Sequence, residues 1–282
     1  MLVIRHLYDP VADMLAGALG PRLRSLAIES WLAGCTFTHS VGQGGAASEV
    51  RRQGGPSLLD GATGIVLNRV RHVPVPAFHR SGQADRDYAS AEATAAFWSW
   101  LAGLDCPVLN DMALLHMAGH GRPGLAAAGH AARAGLRTQT LRMATRSRLG
   151  EPGRLGPVGV AEGPVPAVGA PVFSRVPADG EAGALWVIGD EVMGELQGVA
   201  HEAVRAFARS TGLGYGVVQF VRDPDGDWRW TGFDAAPLEA PPAVIGALLR
   251  HMERHAAPVA HGAACKAVQG AACGAIVQGA LA

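Results

Sequence analysis

Three polar side chains lie at or just beyond the ends of apolar runs that are typical of buried strands. Asn68 and Arg69 end one such run, and Asn110 ends a shorter one. Arg122 stands just before a predicted helix. Amide and guanidinium groups at the carboxyl ends of parallel strands, or at a helix N-terminus, favour a bound anion or carboxylate. The four residues are therefore predicted to line one ligand cleft.

A second interpretation of the two arginines stays open. Arg69 and Arg122 could be solvated, or paired with nearby acids such as Glu92 and Asp111. The two hypotheses differ in geometry, because a shared cleft requires both guanidinium groups to converge on one concave surface.

Two histidine pairs have a spacing that could serve a metal ion. His116 and His120, and likewise His251 and His255, are four residues apart, so each pair would share one face of a helix. Neither pair has an evident third ligand nearby, and ordinary surface or capping histidines are the favoured interpretation. Three alternating aspartates within 223–227 resemble the start of a calcium loop, but a hairpin turn is favoured there.

The front half of the chain alternates predicted strands and helices. The elements are a strand at Leu2–Leu7, a helix from Pro10, a strand at 64–70, a helix at 87–104 and a short strand ending at 110. Asp9 is predicted to cap the first helix. The Gly-rich stretch 42–61 is predicted as a loop or an edge hairpin. This alternation is typical of an α/β fold with a parallel sheet.

The back half is predicted to be more antiparallel. Its elements are a hairpin at 185–193, an amphipathic helix at 199–211, a second hairpin at 215–233 and a last helix at 242–255. Residues 149–171 are rich in Gly and Pro and predict an open linker without a packed lobe. The segment from 256 onward is rich in Ala, Gly and Cys.

Composition excludes several classes of partner. Acidic and basic residues balance at 24 each, so no global field favours nucleic acid or an anionic membrane. No apolar run approaches the length of a membrane span, and the N-terminal run is too short for a signal peptide. The four cysteines are scattered without zinc spacing, which favours reduced thiols and a cytoplasmic protein.

The order of these motifs resembles the ATP-grasp ligases that act on peptides, of the RimK-like and ribosomal-peptide-maturation type. The resemblance rests on GIVLNRVRHVPVP, DYASAEATAAFWSWLAGL, CPVLND and GRPGLAAAGHAARAGLRTQTL in the front half, and on WVIGDEVMG and STGLGYGVVQFVRDPDGDWRWTGFDAAP in the back half. It covers 1–148 and 180–255. It implies ATP, Mg²⁺ and an acyl phosphate in the joining of a carboxylate to an amine.

The chain departs from the family at its charged positions. The family holds ATP phosphates with two lysines, but the one lysine here is Lys266, and Arg122 stands at one expected lysine. Gln219 replaces a metal-binding aspartate, which leaves Asp234 as the weak candidate for a metal ligand. Arginine does not automatically replace lysine. No catalytic residue is therefore assigned, and no cofactor is expected.

The favoured hypothesis follows from this pattern. It is an α/β protein with a pre-ATP-grasp-like parallel-sheet domain at 1–112, a reduced ATP-grasp-like α+β region at 113–255 and a tail at 256–282. We expect an accessory or binding protein, a pseudoenzyme, in a peptide-modification, ligase or cofactor-assembly pathway. Its partner would be a protein, a peptide or a small anionic molecule, and a homo-oligomer stays open. The alternative is an active carboxylate–amine ligase that uses ATP and Mg²⁺ with divergent residues.

Overall fold

The computed structural model describes most of the chain outside three long segments and several short gaps. The described residues are 1–42, 45–55, 57–59, 63–111, 125–138, 141–144, 172–175 and 180–256. Arg122, the predicted linker 149–171 and the predicted tail beyond Ala256 lie outside them. The predicted domain boundary at 112 also lies outside the described residues, so the division into domains stays a prediction.

A four-stranded parallel sheet forms the first half, as the alternating pattern predicts. Its strands are β1 (Leu2–Arg5), β2 (Arg24–Ala27), β6 (Val66–Asn68) and β7 (Val108–Leu109), and they lie in the order β2-β1-β6-β7. Helix α1 (Pro10–Leu19) follows β1 directly. Asp9 caps it, since its Oδ1 accepts a hydrogen bond from the backbone N–H of Ala12 at 3.1 Å. The predicted cap is confirmed.

The other face of this sheet carries an element that the sequence did not predict in full. Helix α2 (Ile28–Gly34) leads into a three-stranded antiparallel sheet made of β3 (Cys35–Gly42), β4 (Gly45–Arg52) and β5 (Ser57–Leu59). Helix α3 (Gln83–Ala102) packs beside it. Trp31 and Trp100, whose ring centroids are 6.0 Å apart, fill the space between these elements.

The second half is built on a four-stranded antiparallel sheet, which follows a separate short pair, β8 (Leu141–Ala144) and β9 (Val172–Arg175). The four strands are β10 (Ala182–Ile188), β11 (Glu191–Met193), β12 (Tyr215–Arg222) and β13 (Trp228–Asp234), in the order β11-β10-β12-β13. Helices α4 (Leu125–Arg133) and α5 (His201–Thr211) cover one face, and α6 (Pro242–Ala256) ends the described chain. No helix among the described residues is long and apolar enough to cross a membrane.

One apolar cluster joins the two sheets. It contains Leu67 and Leu109 from the parallel sheet, Ile188 and Tyr215 from the antiparallel sheet, and Leu248 from α6. All five are at most 7% exposed. The two sheets therefore share a core along this boundary.

A buried ion pair lies at the edge of that shared core. Arg69 follows β6 and donates from Nε to Oδ2 of Asp9 at 2.7 Å and from Nη2 to Oδ1 at 2.9 Å. The same Nη2 donates to the carbonyl oxygen of Pro237 at 2.8 Å. The two charged side chains are 0% and 4% exposed. Arg69 thus ties β6, the cap of α1 and the loop after β13 to one point.

Tyr215 lies beneath this arginine at the start of β12. The Arg69 guanidinium carbon is 5.5 Å from the centroid of the Tyr215 ring, within the range of a cation–π contact. Burial raises the pKa of the Tyr215 phenol to about 12, although the positive charge of Arg69 opposes the increase. The phenol therefore stays neutral throughout the physiological range.

Two glycine substitutions should change the free energy of unfolding in opposite directions and so test the packing. A Cβ on residue 216 would lie 2.5 Å from the carbonyl oxygen of Asp234, so Gly216→Ala should destabilise the protein by about 1–3 kcal/mol. A Cβ on Gly17 in α1 would have no atom within 4 Å, so Gly17→Ala should stabilise by about 0.5–1 kcal/mol. Urea unfolding measures both. Equal midpoints for the two variants would contradict the close contact between β12 and β13.

The tyrosine should be visible in an alkaline titration. Tyr215 is buried, so its phenol should ionise only near pH 12. Because the folded pKa is above the unfolded pKa of about 10, the contribution of Tyr215 to stability is complete below pH 10 and is lost between pH 10 and 12. Tyrosinate absorbance of wild type and Tyr215→Phe checks this. An unchanged late step in Tyr215→Phe would assign it to another group.

Candidate functional site

Asn110 connects the end of the parallel sheet to the start of the antiparallel one. It is the one non-glycine residue with positive φ, at 63°, among the described parts of the chain. Asparagine tolerates this conformation better than most residues. Its Oδ1 accepts from the backbone N–H of Gly214 at 3.1 Å and of Tyr215 at 2.9 Å. Its Nδ2 donates to the carbonyl oxygen of Ala235 at 2.8 Å. The side chain therefore holds both ends of the β12–β13 hairpin.

Asn68 completes the same network from the neighbouring strand. Its Nδ2 donates to the carbonyl oxygen of Asn110 at 3.0 Å, and its Oδ1 accepts from the backbone N–H of Val70 at 3.1 Å. Asn68, Arg69 and Asn110 are all at most 3% exposed. The structure thus brings three of the four predicted residues together at the carboxyl edge of the sheet. These side chains make internal hydrogen bonds, and the acid paired with Arg69 is Asp9. A role in ligand binding stays a prediction, as does any role of Arg122.

Arg71, two residues after Arg69, is an exposed arginine that was not predicted from the sequence as a site residue. Nη2 of Arg71 donates to Oδ2 of Asp234 at 2.9 Å and to the carbonyl oxygen of Ala236 at 2.6 Å. The side chains of Arg71 and Asp234 are 47% and 33% exposed. Arg69 and Arg71 therefore hold successive parts of the same loop, one from inside the protein and one from its surface. The signal in the sequence that could have identified Arg71 was its position two residues after Arg69.

His6, at the carboxyl end of β1, borders Arg71. Its Nε2 accepts from the backbone N–H of Arg71 at 3.2 Å, so the ring proton is assigned to Nδ1, which lies 2.9 Å from Oε1 of Glu29. His72 stacks on His6 with centroids 4.6 Å apart. Burial acts to raise the pKa of Glu29, but hydrogen bonds from its own backbone N–H, from His6 and from Leu7 outweigh it, and the pKa is lowered.

The candidate metal ligand Asp234 lies at the border of the shared core. Asp234 is opposite Val217 in the register, and Val217 precedes Gln219 by two residues, so all three side chains share one face. Tyr215 on this face is buried, whereas Gln219 is exposed. Oδ1 of Asp234 also accepts from the backbone N–H of Ala236 at 2.9 Å. Asp234 and Gln219 thus place one carboxylate and one amide on this face of the sheet, where the face becomes accessible to solvent.

The histidine pairs do not form a metal site in the part of the chain that is described. His251 and His255 stack on α6 with centroids 4.3 Å apart, and burial, followed by the charge of His255, lowers the pKa of His251. No group of three or more His, Cys, Asp or Glu side chains among the described residues could hold a metal ion. His116 and His120 lie outside these residues.

Comparisons with known proteins identify the fold. No protein-family model and no curated protein matches the sequence. A RiPP-associated ATP-grasp ligase from Chryseobacterium gregarium, in complex with ADP and a leader and core peptide, superimposes with a TM-score of 0.60 at 11% identity over 90% of this chain and 96% of that one. Macrocyclase MdnC from Microcystis aeruginosa MRC, bound with precursor peptide MdnA, gives 0.64 at 11% identity over 90% and 99%. ATP-grasp ligase PsnB, complexed with minimal precursor, Mg and ADP, gives 0.62 at 15% identity over 90% and 96%.

These structures correct one expectation. The prediction that no cofactor is used is wrong for this fold, because solved structures that share it contain ADP in one case and Mg with ADP in another. The physical reason lies in magnesium chemistry. Mg²⁺ keeps several waters and binds substrate phosphates, so it needs only one or two protein carboxylates and no complete protein cage. The chain, with its parallel sheet, its antiparallel sheet and the polar network between them, has the fold of the ATP-grasp ligases.

Proposed function

We propose that the protein is an ATP-dependent ligase that activates a carboxylate of a peptide and joins it to an amine. The observation that carries the proposal is the Arg71–Asp234 pair, which sets a half-exposed cation beside a half-exposed carboxylate where the two sheets meet. Structures of the same fold are complexed with a nucleotide and a precursor peptide. We place the reaction in the cytoplasm, where ATP is available.

The reaction would proceed in two balanced steps. A carboxylate oxygen of the peptide attacks the γ-phosphorus of ATP, which gives an acyl phosphate and releases ADP. The neutral amine then attacks the acyl carbon and loses a proton to water, the acyl C–O bond breaks as the amide bond forms, and inorganic phosphate leaves with the former carboxylate oxygen. Positioning and neutralisation of charge dominate such chemistry. This chain's residues have to orient the carboxylate and balance the phosphate charge.

Asp234 and Gln219 are the described residues that would hold Mg²⁺. They lie on one face of the sheet, and the carboxylate is accessible from solvent. Bound Mg²⁺ would supply positive charge that neutralises the phosphates. A single carboxylate fits a metal that takes most of its ligands from water and phosphate. Gln219 supplies a neutral oxygen, which suits Mg²⁺ less well than a second carboxylate.

Phosphate binding does not require lysine. Arginine binds phosphate through two parallel charge-assisted hydrogen bonds, although with a stricter geometry than the point charge of lysine. We assign this role to Arg122, which the sequence places just before a helix and which lies outside the described residues.

A turnover experiment tests the proposal. The purified protein is incubated with Mg²⁺, ATP and a library of peptides that carry Asp or Glu together with Lys. The expected products are ADP, inorganic phosphate and a peptide lighter by one water for each bond formed. Asp234→Asn should slow ADP release, whereas Asp190→Asn, at an aspartate that is 86% exposed on the β10–β11 turn, should not. Peptide binding without ADP release would point to an accessory protein and contradict the ligase.

Nucleotide binding gives a separate prediction. A ligand that binds only the folded state at about 100 times its dissociation constant adds roughly 2.7 kcal/mol of stability. Mg-ATP should therefore raise the melting temperature of the wild-type protein and of Asp190→Asn, and chelation of Mg²⁺ should reverse the increase. Asp234→Asn should show a smaller increase at the same ATP concentration. Equal increases for both variants would remove Asp234 from the metal site.

A further inference from the structure

Within the described part of the chain, one nitrogen of the Arg71 guanidinium group makes side-chain hydrogen bonds and the other two make none. Nη2 makes both of its hydrogen bonds, to Asp234 and to Ala236. The described residues supply no hydrogen-bond partner for Nε and Nη1, and 47% of the side chain is exposed. A guanidinium group has five N–H donors, so three remain directed to the surroundings. An oxyanion approaching this edge would meet a cation that is already oriented.

Two basic side chains near Arg71 in the described part of the chain are already engaged by other groups. Arg69 is buried and its charge is balanced by Asp9. His6 donates to Glu29 and accepts from the backbone of Arg71, so both of its ring nitrogens are engaged. Among the described residues, the charge of Arg71 is balanced by the half-exposed Asp234. An ion pair exposed to this degree contributes little to stability, so its partners can be exchanged at little cost.

Asp234 is also the residue that would take the divalent cation. A carboxylate that coordinates a metal no longer compensates a neighbouring guanidinium group, so metal binding would leave Arg71 with an unbalanced charge. Resting on the proposed function, we propose that Arg71 loses its ion pair with Asp234 when Asp234 binds the metal. Arg71 then holds the carboxylate of the peptide substrate in place of Asp234. The pair then makes carboxylate binding and cation binding mutually favourable, since coupling between two sites is reciprocal.

This exchange explains why the ion pair connects a residue of the parallel sheet with a residue of the antiparallel sheet. Arg71 extends from the end of the parallel sheet, whereas Asp234 ends a strand of the antiparallel sheet. A carboxylate held on the free edge of Arg71 would lie beside the face that carries Asp234 and Gln219. The reacting oxygen and the metal site would therefore be neighbours without any large movement of the backbone.

A binding experiment with ADP, which cannot phosphorylate the probe, tests the exchange, because the phosphates supply ligands that Mg²⁺ needs besides Asp234. The probe is N-acetyl-glutamate α-amide, whose side-chain carboxylate is its one charge, and its dissociation constant is measured by NMR titration in the presence of ADP, with and without Mg²⁺. Arg71→Gln should weaken binding by about tenfold to a hundredfold, as expected for loss of a charged hydrogen-bond donor. Arg22→Gln removes a surface arginine paired with Glu253 at 3.0 Å before β2, at the opposite edge of the sheet, and should bind like the wild type.

Asp234→Asn supplies the decisive variant. It removes the charge that competes for Arg71 and can keep the Oδ1 acceptor for Ala236. It should bind the probe about twofold to fivefold more tightly than the wild type without Mg²⁺, and Mg²⁺ should no longer change its affinity. Unchanged or weaker binding by Asp234→Asn would overturn the exchange. So would wild-type affinity in a folded Arg71→Gln variant, or a probe that binds none of the proteins.

The outcome is distinguishable from failure of the proposed function. If the binding pattern is found but no ADP forms with any peptide, the carboxylate site stands and the ligase proposal fails. If ADP forms and Arg71→Gln leaves KM for the peptide unchanged, the ligase stands and the role of Arg71 is wrong. Thermal unfolding of each variant shows whether it is folded.

Discussion

The Arg69–Asp9 ion pair is the interaction on which the join between the two halves depends. Both side chains are almost fully excluded from solvent, so each would carry a large desolvation cost without the other. Asp9 also caps α1, and Arg69 also binds the carbonyl of Pro237. Loss of either charge would leave the other buried without compensation, which costs about 3–5 kcal/mol in comparable cases. The pair therefore fixes the loop after β13 relative to the parallel sheet.

This constraint determines which polar residues remain available for chemistry. Arg69 and Asn110 use their hydrogen bonds at the boundary itself, so they hold the edge of the site in place. Arg71 and Asp234 lie one step outward, where solvent reaches them. The buried network is excluded from solvent, whereas an ion pair as exposed as the outer one contributes little to stability. A loop held from inside can present an exchangeable ion pair on its surface without losing its own shape.

Sequence patterns predicted the local elements better than the contacts between them. The capped helix α1 and the two hairpins follow from capping, turn residues and periodicity, which act over a few positions. The three-stranded sheet of β3–β5 was only partly anticipated, because its Gly-rich stretch carries a weak alternation. Asn68, Arg69 and Asn110 were correctly placed at strand ends. Their partners, such as Asp9 and Pro237, lie 60 and 168 residues from Arg69, beyond any local pattern.

The scarcity of lysine shows how composition can mislead about chemistry. An expectation of no cofactor follows only if the metal site is a full set of protein ligands and the phosphate site is a pair of lysines. Magnesium, however, takes most of its ligands from phosphate and water, and arginine can bind phosphate through a different geometry. The ligase that we propose would need a place where opposite charges lie close together and can change partners. Arg71 and Asp234 would meet that requirement through their position at the junction of two sheets, which no count of residue types reveals.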